Sequence, residues 1–232
     1  MGYSFYDILG YVLIFIGIGI TLLAQYFVNS RYNKYLNIKS KKGLTGQEVA
    51  RIILDKHGLN DIYVTEVSGV LSDHYDPNRK VVRLSNDVFH GDSISSISVA
   101  AHEVSHAIQD KEGYSMIRIR GLIFPFVSFA SKFGYIALMI GFLFSIFELA
   151  WAGIGLLLMI LVFQLITLPV EFDASRRAII FLEKENILVS NELDGSKDML
   201  KAAAMTYVSG VAATILEILR FVLMIIGRDN DR

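Results

Sequence analysis

The sequence predicts an α+β fold combined with about four transmembrane helices. Three observations lead to this prediction: 53% of the 232 residues are hydrophobic, only 19% are charged, and long apolar segments alternate with two polar stretches. Soluble proteins carry charge on about 25% of their residues, so this composition favours a membrane protein. We expect a single domain over residues 1–232, because this length suits one folded unit.

Four apolar segments are each long enough, at roughly 20 residues, to cross a bilayer as a helix. They cover about residues 5–28, 122–147, 151–170 and 205–226. The first segment lacks a basic start and a small-residue cleavage site, which predicts a retained anchor rather than a signal peptide. The second contains Lys132 and the fourth contains Glu217 and Arg220, so we expect these helices to turn their charges toward protein or water.

The two polar stretches, residues 29–120 and 171–204, hold most of the basic residues. The connection between the second and third apolar segments, around Glu148, contains neither Lys nor Arg. By the positive-inside rule, both polar stretches are cytoplasmic and both termini are external, although the basic residues of the C-terminal "GRDNDR" oppose this weakly. The sequence therefore predicts a multi-pass protein of the cell membrane with the lipid bilayer as a partner.

The first polar stretch contains signals for both helices and strands. The segment "TGQEVARIILDKHG" predicts a helix that Thr45 and Glu48 cap and Gly58 ends. The segments "DIYVTEVSGVLS" and "KVVRLS" flank the turn "DPN", which predicts a small antiparallel hairpin. Another helix is expected to begin at Asp92 or Ser93 and to end near Gly113.

This last helix carries the pattern H-E-x-x-H at His102, Glu103 and His106. In a chain with five histidines, the pattern is expected by chance only roughly 0.004 times. Side chains four residues apart face the same way on a helix, so both imidazoles can reach one Zn²⁺. Glu103 can then take a proton from a zinc-bound water. The alternative is an amphipathic helix with two histidines at a polar interface.

A catalytic zinc site needs a third protein ligand. The chain has no cysteine, so that ligand must be His, Asp or Glu. Pro169 is expected to end the third membrane helix, and Glu171 and Asp173 follow before a new helix from about Ala174. The two membrane segments between His106 and Glu171 form a hairpin that returns to the same side. We therefore predict Glu171 as the third ligand and Asp173 as a supporting carboxylate; alternatively, both cap the new helix.

Two further residues are candidates for a role in the site, and the two remaining histidines are not. His74 lies just before a turn, where it could polarise a substrate carbonyl or simply be solvated. Tyr207 could donate a hydrogen bond to an oxyanion or anchor a helix at the membrane interface. His57 is expected to lie at a helix C-terminus and His90 in a loop, and neither is expected to bind the metal.

The motifs "LSDHYDP", "AAHEVSHAIQ", "EFDASRRA" and "AAAMTYV", in this order among four apolar segments, resemble the bacterial membrane zinc metallopeptidases of the YugP type. The resemblance covers nearly the whole chain. It implies a zinc-dependent membrane endopeptidase with His102 and His106 as ligands and Glu103 as the catalytic acid and base.

The layout is also similar to that of HtpX-type proteases, whose Glu ligand lies in an E-x-x-A-D pattern. Glu171 occupies the ligand position of that pattern. Ser175 stands where that group has Asp, so the supporting role of the aspartate is not carried over.

Together these inferences predict a zincin-like cytoplasmic unit fused to four membrane helices. It would use Zn²⁺ to hydrolyse peptide bonds of membrane or membrane-proximal proteins. The alternative is a non-catalytic zinc-binding scaffold or holdase, which would not need Glu103. The charges within residues 85–115 exclude a motif buried in the membrane, and a net charge of −1 without a basic stripe excludes nucleic acid. The sequence does not indicate an oligomeric state.

Overall fold

The computed structural model describes residues 5–230. This part of the chain is mostly helical, with one small sheet. Its elements, in chain order, are α1 Phe5–Leu36, α2 Gly46–Lys56, β1 Tyr63–Val67, β2 His74–Asp76, β3 Val81–Ser85, α3 Asn86–Phe89, α4 Ile94–Lys111, α5 Ser115–Leu143, α6 Phe147–Lys184 and α7 Ser190–Asn230.

The described chain divides into two compact units. The first, here called the apolar unit, contains the described residues up to Gln25, Ile119–Leu168 and the chain from Thr206 onward. The second, here called the polar unit, contains Tyr26–Arg118 and Pro169–Met205. Helices α1, α5, α6 and α7 contribute residues to both units.

The apolar unit draws on α1, α5, α6 and α7, the four helices long and apolar enough to cross a membrane in the described chain. Many of its large apolar side chains point outward: Phe15 is 70% exposed, Leu122 74% and Leu143 72%. Side chains such as Leu138 and Phe221 pack inside. An apolar exterior of this extent is unfavourable in water and suits a lipid environment.

Glu217 and Arg220 in α7 face protein partners, as the sequence predicts. The hydroxyl of Tyr135 donates a hydrogen bond of 2.7 Å to Glu217. The Arg220 guanidinium lies 3.8 Å from Glu217 and 4.1 Å from the ring centroid of Phe221. Lys132, by contrast, is exposed on α5.

The expectation that Pro169 ends a helix is wrong, because α6 continues through it to Lys184. A proline inside a helix removes one backbone hydrogen bond and costs about 3 kcal/mol. Membrane helices tolerate this cost, because neighbouring side chains and local adjustments satisfy the freed backbone groups. Glu171 and Asp173 therefore lie within a helix, and neither caps a helix N-terminus.

The predicted hairpin in the polar unit is correct only in its second half. Strands β2 and β3 pair antiparallel across the turn at Pro77, but β2 has only three residues. Strand β1 pairs parallel with the other edge of β3, which gives the order β1-β3-β2. The chain between β1 and β2 changes direction through positive φ angles at Gly69 and Leu71, so the segment predicted as the first strand of the hairpin forms β1, and the strand that pairs antiparallel with β3 is the short β2 that follows it.

The two helices predicted within residues 29–120 are confirmed. Thr45 and Glu48 form the predicted capping box at the start of α2. The Ser93 hydroxyl accepts a hydrogen bond from the Ser96 backbone at the start of α4, and Gly113, with φ of 69°, follows its end. The core of the unit packs around α4, whose apolar side chains Ile97, Val104 and Ile108 are at most 1% exposed.

Candidate metal centre

Helix α4 presents His102 and His106 on one face. Their ring centroids are 4.9 Å apart and the rings are nearly perpendicular, at 86°. The spacing of four residues on a helix produces this proximity. Both imidazoles are largely buried, with side-chain exposures of 14% and 10%.

Helix α6 brings Glu171 to the two histidines, although it lies 69 residues after His102. Its Oε2 atom is 3.3 Å from Nε2 of His102 and 3.6 Å from Nε2 of His106. The three candidate ligand atoms lie within 4.8 Å of one another, and Glu171 is only 2% exposed. The structure thus brings together the three residues predicted as ligands.

The donor set fits zinc in chemistry, and the two donor distances from Glu171 fit it in spacing. Zinc bonds of about 2.0 to 2.2 Å in a tetrahedral site place neighbouring donor atoms about 3.3 to 3.6 Å apart. The two distances from Glu171, 3.3 and 3.6 Å, fall in that interval. Two imidazoles and one carboxylate also leave a fourth tetrahedral position for water.

Each histidine has a polar partner on its other ring nitrogen. Nδ1 of His102 is 3.3 Å from the hydroxyl of Ser175, and Nδ1 of His106 is 2.9 Å from Oε1 of Gln109. Such contacts fix the orientation of a histidine ligand and the nitrogen that it offers to a metal. Ser175 thus contacts His102 at the position where HtpX-type proteases have Asp. Sequence reasoning missed Gln109. Its position three residues after His106 was the feature that could have identified it.

The charge state of the motif residues depends on their surroundings. Burial raises the pKa of Glu103, while the adjacent His102 and His106 act in the opposite direction. Burial lowers the pKa of His106, but the hydrogen bond and charge of Glu171 outweigh it and raise the pKa overall. A raised carboxyl pKa suits a group that must both accept and return a proton near neutral pH.

Asp73 is a further acidic residue that acts on the motif. Its charge contributes to the raised pKa of Glu103. The carboxylate accepts hydrogen bonds from the backbone N–H of Ser85, at 2.7 Å, and from the Ser85 hydroxyl. Sequence reasoning considered His74 but not the aspartate directly before it.

The other residues considered from the sequence are not among the three clustered candidate ligands. Nδ1 of His74 contacts the Ser72 carbonyl at 2.8 Å, and Tyr207 lies on α7 in the apolar unit, so their catalytic roles stay predictions. His57 contacts the Ile53 carbonyl at the end of α2, as expected. His90 contacts Glu66.

Comparison with known proteins relates this chain to a protein family and to a curated relative. A family model described as "Putative neutral zinc metallopeptidase" matches residues 10–226. The "Putative membrane protease YugP" of Bacillus subtilis is 46% identical over 215 residues, which cover 92% of this chain and 96% of that protein. No solved structure matches the chain.

Proposed function

We propose that this chain, which belongs to the neutral zinc metallopeptidase family, hydrolyses peptide bonds of membrane or membrane-proximal proteins. The observation that carries the proposal is the convergence of His102, His106 and Glu171 at donor spacings that suit tetrahedral zinc. Glu103 follows His102 directly on the same helix, where it can serve the site without occupying a ligand position.

Zinc held by these three residues would polarise the substrate carbonyl and lower the pKa of a bound water to about 7. Glu103 takes a proton from the attacking water and later delivers it to the leaving amine. The raised pKa of Glu103, which its burial causes, supports this double role. The assignment of the three ligands and of Glu103 is part of the proposal.

An extended substrate would pair with one of the two outer strands of the sheet, β1 or β2, by strand addition. Strand β3 lies between β1 and β2 and has no free edge. Strand β2 packs against α4, and the hydroxyl of Tyr75 ties it to Asp110 on α4 by a hydrogen bond of 3.0 Å. We therefore assign the substrate to the edge formed by β2.

The proposed site faces the cytoplasm. The basic residues that follow the first apolar segment and those of residues 171–204 support this side by the positive-inside rule. The homology to a protein named as a membrane protease and the four long apolar helices support a multi-pass arrangement. Substrates would then be cytoplasmic segments close to the inner membrane face.

The test compares zinc content and proteolysis in Glu103→Gln. The amide keeps the size of the side chain but cannot act as a base, so we expect zinc to stay bound while cleavage of casein falls by about 10²- to 10⁴-fold. Glu183→Gln, which changes an exposed acid on α6, should retain both. Full cleavage by Glu103→Gln would contradict the proposed role of Glu103, whereas a zinc-binding wild type without proteolysis would favour a scaffold.

A further inference from the structure

Gln109 is a fully buried amide with a partner at every polar atom. Its relative exposure is 0%. Oε1 lies 2.9 Å from Nδ1 of His106. Nε2 donates one hydrogen bond of 2.9 Å to the Val170 carbonyl and another of 2.9 Å to the Asp173 carboxylate. The amide therefore connects the second motif histidine with α6.

These partners fix the direction of the Gln109 amide. A backbone carbonyl and an ionised carboxylate can only accept hydrogen bonds, so Nε2 must face Val170 and Asp173. Oε1 must then face His106. Rotating the amide by half a turn would place its oxygen against two other oxygens in a buried site, where unsatisfied polar groups are costly.

The Gln109 amide in turn determines which ring nitrogen of His106 carries the proton. An amide oxygen can only accept, so Nδ1 of His106 must donate. Nε2 of His106 is then the nitrogen whose lone pair can bind a metal. It is also the nitrogen that faces Glu171, at 3.6 Å.

Ion pairs hold Asp173, the last residue in this series of contacts. Asp173 is bound by both Arg176 and Arg177, and Arg177 also lies 2.6 Å from Glu112, just after α4. The side chains of Asp173 and Arg177 are only 12% and 18% exposed. Two guanidinium groups favour the ionised form of the carboxylate, which is the form that can only accept.

We propose that Asp173, acting through Gln109, holds the proton of His106 on Nδ1 and thereby keeps Nε2 available for the metal. Both are positioning residues, and neither touches the substrate. The inference rests on the proposed function, because it assigns them to the same metal site. Asp173 would act on the ligand His106 indirectly, through its contact with Gln109.

The test measures zinc affinity by chelator competition in the purified full chain, together with the visible spectrum of the Co²⁺-substituted protein. Gln109→Leu should lower zinc affinity by about 10- to 100-fold, the usual effect of removing a partner that orients a ligand. Asp173→Asn keeps the shape but adds an N–H donor, so the Gln109 amide can reverse. We expect a smaller loss of affinity, and a changed Co²⁺ spectrum in both variants.

Asp110→Asn is the matched control, since Asp110 follows Gln109 directly but binds Tyr75 instead. It should leave zinc affinity and the Co²⁺ spectrum unchanged. Thermal unfolding of each metal-free variant shows whether it folds, and if Gln109→Leu does not fold, Asp173→Asn decides. If Asp173→Asn had the zinc affinity and Co²⁺ spectrum of the wild type, the inference would be overturned but the proposed function would stand. A wild-type protein that binds no zinc would contradict the proposed function itself.

Discussion

The hydroxyl oxygen of Ser175 lies 3.3 Å from Nδ1 of His102. The other ring nitrogen, Nε2, faces Glu171 at the same distance. His102 thus has the same arrangement as His106, with one nitrogen toward the site and the other on a supporting side chain. The two supports differ in strength, because the contact of Gln109 with His106 is shorter, at 2.9 Å.

Ser175→Ala should therefore weaken zinc binding, but less than Gln109→Leu does. We expect a loss of up to about 10-fold, the lower end of the range for residues that orient a ligand. Ser175→Thr keeps the hydroxyl and serves as the control. Chelator competition measures all three affinities, and a Ser175→Ala protein that binds zinc like the wild type would show that the hydroxyl does not orient His102.

Zinc affinity should fall as the pH is lowered. Zinc binds the neutral imidazole, so it competes with protons. The contacts with Glu171 raise the pKa of His106 above the ordinary 6.5, and protons therefore begin to compete at a higher pH than they would at a free histidine. Zinc titrations from pH 8 downward should show the affinity declining before pH 6.5, and a constant affinity across this interval would contradict the expected protonation.

The sequence predicted the proximity of the candidate ligands better than it predicted the backbone that carries them. The spacing of His102 and His106 is a local property of a helix, so it could be read directly. The approach of Glu171 was inferred from a membrane hairpin, and the structure shows that contact. The local prediction around Pro169 was wrong, because α6 continues through the proline, which a membrane helix tolerates when its neighbours satisfy the freed backbone groups.

The contacts of Gln109, Ser175 and Asp73 could not be predicted in the same way. Each depends on which side chain of one element meets another element distant in sequence. Gln109 reaches α6, and Asp73 is held by Ser85 at the end of β3. Strand β1 pairs in parallel with β3, so the chain must cross from one edge of the sheet to the other between them. The sequence between these strands contains no pattern that predicts this pairing.

Gly46→Ala should destabilise the polar unit. A Cβ atom at Gly46 would lie 2.1 Å from the Val88 carbonyl oxygen and 3.2 Å from that of Ser96, so the backbone would have to shift. We expect a loss of about 1 to 3 kcal/mol in the free energy of unfolding, as for other overpacked sites. Denaturant unfolding measures it.

Gly19→Ala is the matched helix substitution, because a Cβ at Gly19 would meet no atom within 4 Å among the described residues. It should be neutral or stabilising by up to about 1 kcal/mol, because alanine is the better helix former. Equal effects of the two substitutions would contradict the close approach at Gly46.

The two polar stretches should lie on the same side of the membrane. Reporters inserted after Asn29 or between Lys184 and Lys197 should be cytoplasmic, because the basic residues stay on that side. A reporter near Glu148, in the connection without basic residues, should be external. Opposite sides for the first two reporters would be incompatible with a site shared by His102 and Glu171.

The zinc content of Glu171→Ala tests the central claim most directly, because it asks whether segments 69 residues apart hold one metal. The wild type should contain about one zinc per chain, the stoichiometry of a single three-ligand site. Glu171→Ala should lose the zinc on dialysis and regain part of its activity in excess Zn²⁺, while Glu183→Ala on the same helix keeps it. A Glu171→Ala protein with full zinc content and normal turnover would contradict the account.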